Sequence, residues 1–358
     1  MEEGQHLKIL FLDLLAHIDI GEQMGISRHS IFQALFFLAP LLLGQLGGRP
    51  AAADDRENRS IKARSVRTSA GPKQASDIEP DLKVDTDLVE IPVTVTDYTG
   101  RVIEHLEKEN FTIFEDGVEQ RVVHFGAEEV PVSLCLAIDS SGSMAGKFQK
   151  SSEAVLEFLQ HANPDDEYCV VRFSDSPQVL VKMTRDSSQV AKALSQIHPY
   201  GWTALLDGIH LSVQEVRRGQ NRRKAIVLIS DGGDNRSRHS ERSIKRLVRE
   251  TEAQIYSIGI VSAEDRWMYP VEVDGPSLMR GISNQSGGML VLIHGINDLP
   301  SAIGQIESAL RHQYVLGYYS TAHKTDGKYR RVTIKLHSPD NGQRLKAYWR
   351  AGYYAPAE

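Results

Sequence analysis

From Pro131 to about Pro300, short apolar runs alternate with stretches in which apolar residues recur every three to four positions. The first pattern marks strands buried on both faces and the second marks amphipathic helices. Their alternation predicts a mainly parallel sheet covered by helices. Strands are expected over Val132–Ile138, Glu167–Phe173, Gln178–Met183, Ala225–Ser230, Gln254–Ile260 and 289–293, with helices near 145–161, 187–197, 204–218, 240–252, 277–285 and 297–312. Ser174-Asp175-Ser176-Pro177 is a short connection, so its two strands should form a hairpin at one edge of the sheet.

The flanks follow a different period. Leu88 to Thr96 alternates into a turn at Asp97-Tyr98-Thr99-Gly100, Phe111 to Phe114 runs into Glu115-Asp116-Gly117, and Gln120 to Phe125 returns. Beyond the α/β stretch, Tyr314 to Tyr319, Tyr329 to Leu336 and Leu345 to Tyr354 are strand candidates. Neither flank is long enough for a comfortable core of its own. Residues 81–128 and 313–358 are therefore expected to pair as one β-sandwich, with the α/β domain, 129–312, inserted within it.

Residues 31–46 are the most apolar segment, with Arg28 and His29 before it and Ala51-Ala52-Ala53 after a short spacer. A basic flank, an apolar core and a small-residue exit over residues 1–53 read as a secretory signal, and a start at Met24 would give it a conventional length. A retained membrane anchor and a buried helix are the alternatives; the run is short for a span of about 20 residues and contains Pro40. Residues 54–80 are polar and mixed in charge, as a disordered linker would be.

Composition adds little. The chain has 358 residues, 41% hydrophobic and 25% charged, and its net charge of −6 is too small and mixed to imply nucleic acid or an anionic membrane. Its two cysteines, Cys135 and Cys169, fall in apolar strand-like runs. Buried free thiols are expected in preference to a disulfide, whose geometry is restrictive.

The candidate chemistry begins where the first α/β strand ends, at Asp139-Ser140-Ser141-Gly142-Ser143-Met144. A buried strand that delivers small oxygen ligands onto a strand-to-helix turn suits a hard cation, at the sheet edge where open α/β folds bind ligands. Asp-x-Ser-x-Ser resembles the metal-ion-dependent adhesion site of von Willebrand factor type A (VWA) domains. The other parts of that site have counterparts in Thr203, within Gly201-Trp202-Thr203-Ala204, and Asp231, after Ala225 to Ser230. The flanks widen the likeness: Val93-Thr94-Val95-Thr96-Asp97 with Phe111 to Gly117, and Gln313 to Tyr319 with Gly352-Tyr353-Tyr354, resemble the VWA-related exported proteins described in acidobacteria. Trp202 departs from the pattern, since VWA domains often have glycine before the metal threonine.

The resemblance implies a Rossmann-like, doubly wound six-stranded sheet and a divalent ion, Mg²⁺ with Mn²⁺ or Ca²⁺ as alternatives, held by Asp139, Ser141, Ser143, Thr203 and Asp231. It also implies a partner protein that supplies a carboxylate to the ion. The expected function is an exported, non-enzymatic adhesion or assembly module, located in the periplasm, at the cell surface or outside the cell. A structural envelope protein with a stabilising metal and a metal-dependent hydrolase are the alternatives, the latter needing a general base for which Asp234 is the nearby candidate. Gly142 to Lys147 is one residue short of a phosphate-binding loop and has Phe148 where Ser or Thr is required. Arg217, Arg218, Arg222, Arg223 and Lys224 should lie at the opposite end of the sheet from the metal, as a solvated turn. Arg236, Arg238, Arg242, Lys245 and Arg246 should lie on its side.

Overall fold

A computed structural model describes residues 88–127, 130–160, 162–261, 275–322, 325–338 and 344–357. The expected signal and linker, 1–80, lie outside the described residues.

The central sheet contains β5 (Val132–Asp139), β6 (Glu167–Phe173), β7 (Gln178–Thr184), β8 (Arg223–Ser230), β9 (Gln254–Ile260) and β10 (Leu290–Ile293), in the order β10-β9-β8-β5-β6-β7. Its ladders are parallel except for β6–β7, so β7 is an antiparallel edge. Every residue of β5 is buried, as a central strand covered on both faces requires. One face carries α1 (Phe148–Gln160), α2 (Ser187–Ser195) and α6 (Leu299–Arg311), whose Phe158, Leu194 and Ile306 share one core with Leu136 and Val227. The other carries α3 (Leu205–Val216), α4 (Glu241–Arg249) and α5 (Gly275–Ser286), whose Ile209, Ile244 and Ile282 share a core with Ala137, Val171 and Leu228.

The cysteine expectation is corrected here. Parallel register places Cys135 opposite Cys169, both buried beneath α3, with Cα atoms 4.5 Å apart, and they form a disulfide. Direct pairing on adjacent strands meets the distance requirement that sequence spacing conceals.

The flanking strands interleave. β1 (Leu88–Thr96) lies between β11 (Tyr314–Tyr319) and β13 (Lys346–Trp349), and β4 (Val122–Ala127) lies beyond β11. A second sheet runs β14-β12-β2-β3, from Gly352–Tyr354, Tyr329–Leu336, Phe111–Glu115 and Val118–Gln120. Ile91, Val93, Ile113, Leu316 and Ile334 share the core of this β unit. Ala127 pairs with Tyr314, so the two chain ends of the α/β domain emerge from adjacent antiparallel strands.

Two strand candidates are divided. Gln120 to Phe125 breaks at Arg121, between β3 in one sheet and β4 in the other. Leu345 to Tyr354 breaks at Arg350 and Ala351, where the chain turns aside to the α/β domain: Arg350 Nη2 donates to Arg249 O at 2.9 Å and Ala351 N to Gln285 O at 3.3 Å. Other joints are Thr94 Oγ1 to Ala309 O at 3.2 Å and Gln313 Nε2 to Tyr256 OH at 2.7 Å. At the foot of α6, Arg311 donates to Asp166 Oδ2 at 2.5 Å, and Asp166 also accepts from Val132 N, which ties the helix to the start of β5.

Candidate metal centre

Parallel strands deliver their following loops to one sheet edge, and β5 and β8, neighbours in the centre, end there in Asp139 and Ser230-Asp231. The turn after β5 is tight. Ser141 N donates to Asp139 Oδ1 at 2.8 Å, and Gly142–Met144 form a 3₁₀ turn before α1. This explains why α1 starts at Phe148 and not near 145: the intervening residues form the loop. Ser141 Oγ lies 3.1 Å from Ser143 Oγ, and Ser143 Oγ donates to Asp231 Oδ1 at 2.9 Å. Asp139 Oδ2 accepts from Ser230 Oγ at 2.5 Å.

Four of the five predicted residues are thus linked through Ser141, Ser143, Asp231 and Asp139. The fifth, Thr203, sits on a loop docked against the β5 turn by two backbone bonds, Gly142 N to Gly201 O at 3.0 Å and Tyr200 N to Ser140 O at 2.8 Å. Its own N–H donates to Asn235 Oδ1 at 2.8 Å, and its carbonyl accepts from Asn235 N and Arg236 N. That ties the Thr203 loop to the one following Asp231. Gly201 has φ +79°, and a Cβ there would collide with the Asp175 carboxylate, which accepts from Trp202 N. The glycine-dependent turn leaves Trp202 61% exposed beside the buried Thr203.

The donor set suits a hard cation. Cis ligands of an octahedral ion at about 2.1 Å stand about 3.0 Å apart, and the hydroxyl–hydroxyl and hydroxyl–carboxylate separations are 3.1 and 2.9 Å. Electrostatics agrees: burial pushes the Asp139 carboxyl up to about 7, the Asp231 charge adds to the rise, and hydrogen bonds from Ser230 and Ser141 oppose it. A positive charge between the carboxylates would relieve both effects. Lys147 already supplies one, its Nζ lying 2.5 Å from Asp231 Oδ2 with a side chain only 16% exposed. Among the described residues no three His, Cys, Asp or Glu side chains group to hold a metal; the convergent oxygens here are largely hydroxyls.

Asp234 is a capping residue, accepting from Leu206 N at 3.3 Å in the first turn of α3 and from Ser237 Oγ. Sequence reasoning named Lys147 only within a rejected phosphate loop and passed over Ser230. The signal for Ser230 is positional, a hydroxyl directly before the strand-end Asp231.

An open α/β sheet that gathers hydroxyls and carboxylates from two loops at its carboxyl edge, with a third loop docked against them, is a ligand-binding fold of the doubly wound class. Residues 134–234 match the von Willebrand factor type A domain, so the α/β part of the chain is a VWA domain. It is 28% identical over 119 residues to an uncharacterized protein of Synechocystis sp., covering 32% of this chain and 28% of that one. It is 27% identical over 191 residues to inter alpha-trypsin inhibitor, heavy chain 4, of Mus musculus, covering 48% and 20%. The chain thus spans less than a third of these relatives' lengths. Similar solved structures include the vWF domain of the Porphyromonas gingivalis type V pili tip protein Mfa5, with TM-score 0.42, 12% identity and coverage of 51% and 96%. Another is proximal thread matrix protein 1 of the mussel byssus with a zinc-occupied MIDAS motif, with TM-score 0.44, 16% identity and coverage of 55% and 49%.

Proposed function

We propose that the chain is an exported, non-enzymatic binding module that holds a divalent cation, Mg²⁺ by preference, at the carboxyl edge of its sheet and engages an acidic residue of a partner protein there. The observation that carries this reading is the pair of hydroxyls on Ser141 and Ser143, 3.1 Å apart as cis ligands of one small ion would be, with the Asp231 carboxylate directly behind Ser143. Ser141, Ser143 and Thr203 would bind the ion as neutral donors, while Asp139 and Asp231 hold negative charge behind them. When bound, the ion supplies an electrophilic position for a carboxylate. Exposed Trp202 and Tyr200 flank Thr203 and offer the partner an apolar rim, and exposed Arg238 favours an acidic approach.

Two features support the remaining parts. The Cys135–Cys169 disulfide suits an oxidising compartment outside the cytosol. Asp234, the carboxylate nearest in sequence that could serve as a base, is engaged at the start of α3, which favours binding over hydrolysis.

Calorimetric titration of the full chain with Mg²⁺ and Mn²⁺ tests the site. Saturable binding that Ser141→Ala abolishes, with circular dichroism unchanged, is the expected outcome; no binding, or binding indifferent to Ser141, would refute the site. Pull-down from envelope extract in Mg²⁺ against chelator then tests the partner, and capture that survives chelation would refute the bridging role.

A further inference from the structure

At the opposite end of the sheet, a cavity of about 350 Å³ lies between the starts of β8 and β9 and the sheet that contains β1, β11 and β4. That volume is within the range of small-molecule sites, which favour junctions of this kind. Four cationic side chains line it, Arg222, Arg223, Lys224 and Arg350, against the carboxylates of Glu90 and Glu252, leaving a net charge of +2. Arg222 is paired with Glu90, and Arg223 Nη1 donates to Leu310 O at 2.8 Å. Lys224 Nζ and Arg350 Nη2 each donate to one backbone carbonyl, of Asn221 and Arg249, with further N–H groups on each side chain. The solvated turn expected from the basic run is, in its second half, the wall of a cleft.

Two residues of that wall each carry a buried polar atom without a hydrogen-bond partner: Arg350 Nε, a donor, and Gln313 Oε1, an acceptor. Gln313 is 1% exposed, and its amide nitrogen is already engaged by Gln254 and Tyr256 at 2.9 and 2.7 Å, which fixes the side chain with its oxygen unsatisfied. Orphaned buried groups are costly and uncommon, and a pair of opposite kinds in one cavity defines what should fill it. We propose that this cleft binds a small organic anion bearing a hydroxyl, a phosphorylated or carboxylated polyol, with its anionic group on Arg350 and Lys224 and its hydroxyl donating to Gln313 Oε1. The site is independent of the metal centre.

The probes are glycerol 3-phosphate and inorganic phosphate, titrated calorimetrically into the full chain in EDTA, so that ion chelation contributes nothing. Glycerol 3-phosphate should saturate at about 1 mM or below and bind more tightly than inorganic phosphate. Arg350→Gln and Lys224→Gln should each weaken it about tenfold, the scale of one charge-assisted hydrogen bond. Lys182→Gln, which removes an exposed lysine from edge strand β7, should not. Lys224 carries the test if the Arg350 variant fails to fold. No saturable binding, or equal affinity across wild type, the folded cleft variants and Lys182→Gln, would overturn the site; equal affinity for the two probes would overturn the role of Gln313.

Discussion

Among the acidic side chains the molecule buries, Glu115 and the Asp139–Asp231 pair are resolved in opposite ways. In the β unit, Glu115 accepts from Tyr318 OH at 2.8 Å, Tyr353 OH at 2.8 Å and Ser320 Oγ at 2.5 Å. Three neutral donors, from β11, β14 and the residue after β11, converge on one carboxylate of β2, so this group fastens the two flanks together. At the sheet edge, burial and the nearby Asp231 charge raise the cost of ionising Asp139, and the partners of the two carboxylates include the Ser230 and Ser143 hydroxyls, with the Lys147 ammonium on Asp231. Glu115 is saturated by neutral donors, whereas the Asp139–Asp231 pair has Lys147 as its cation and is where the proposed ion would enter.

Isosteric neutralisation would expose that difference most strongly. Glu115→Gln replaces an acceptor of three hydrogen bonds with an amide that donates, and should cost about 3 kcal/mol in urea unfolding. Asp139→Asn removes a buried charge facing another carboxylate, and in chelator should change stability by less than about 1 kcal/mol while abolishing Mg²⁺ binding. Equal losses for the two variants would erase the distinction.

Alkaline pH separates the regions next. Burial, reinforced by Glu115, pushes the Tyr353 hydroxyl up to about 12, and burial pushes Tyr318 further in the same direction. The folded chain keeps protons that the unfolded chain releases near pH 10, so this contribution is intact below pH 10 and is lost as the pH rises toward 12. The slope is about 1.4 kcal/mol per pH unit for each tyrosine withheld. Urea midpoints at pH 9, 10 and 11 should fall less steeply in Tyr353→Phe than in wild type; parallel curves would mean that Tyr353 titrates normally.

Much of this was legible in sequence, for physical reasons that also explain the gaps. β6, β9, β11 and β12 were readable to the residue because each is a short apolar or alternating run between turn residues. Asp139, Ser141, Ser143 and Asp231 were readable because parallel topology brings strand ends together whatever lies between them. The disulfide was missed because strand register, not spacing, puts Cys135 opposite Cys169. Arg350 was read as a strand residue because a strand that changes sheets keeps an extended pattern through the crossing. Glu115 passed as the start of a turn because its partners lie 203 to 238 residues away.

Lys147 gives the smallest and sharpest test. It is tethered four residues beyond Ser143, and its ammonium occupies Asp231 Oδ2 while Ser143 holds Oδ1. A second cation within about 4 Å of that ammonium would be repelled by several kcal/mol, so the lysine must swing to solvent when the ion enters and forfeit its charge-assisted bond. Lys147→Met keeps the aliphatic stem and removes the competitor. Mg²⁺ affinity should therefore rise about tenfold, while the melting temperature in EDTA falls because Asp231 has lost its partner. The two shifts should have opposite signs, which separates competition from a general loosening of the loop. A weaker affinity in Lys147→Met would show that the lysine holds Asp231 in position for the ion, and the sheet edge would then resemble Glu115 in being built around a fixed donor.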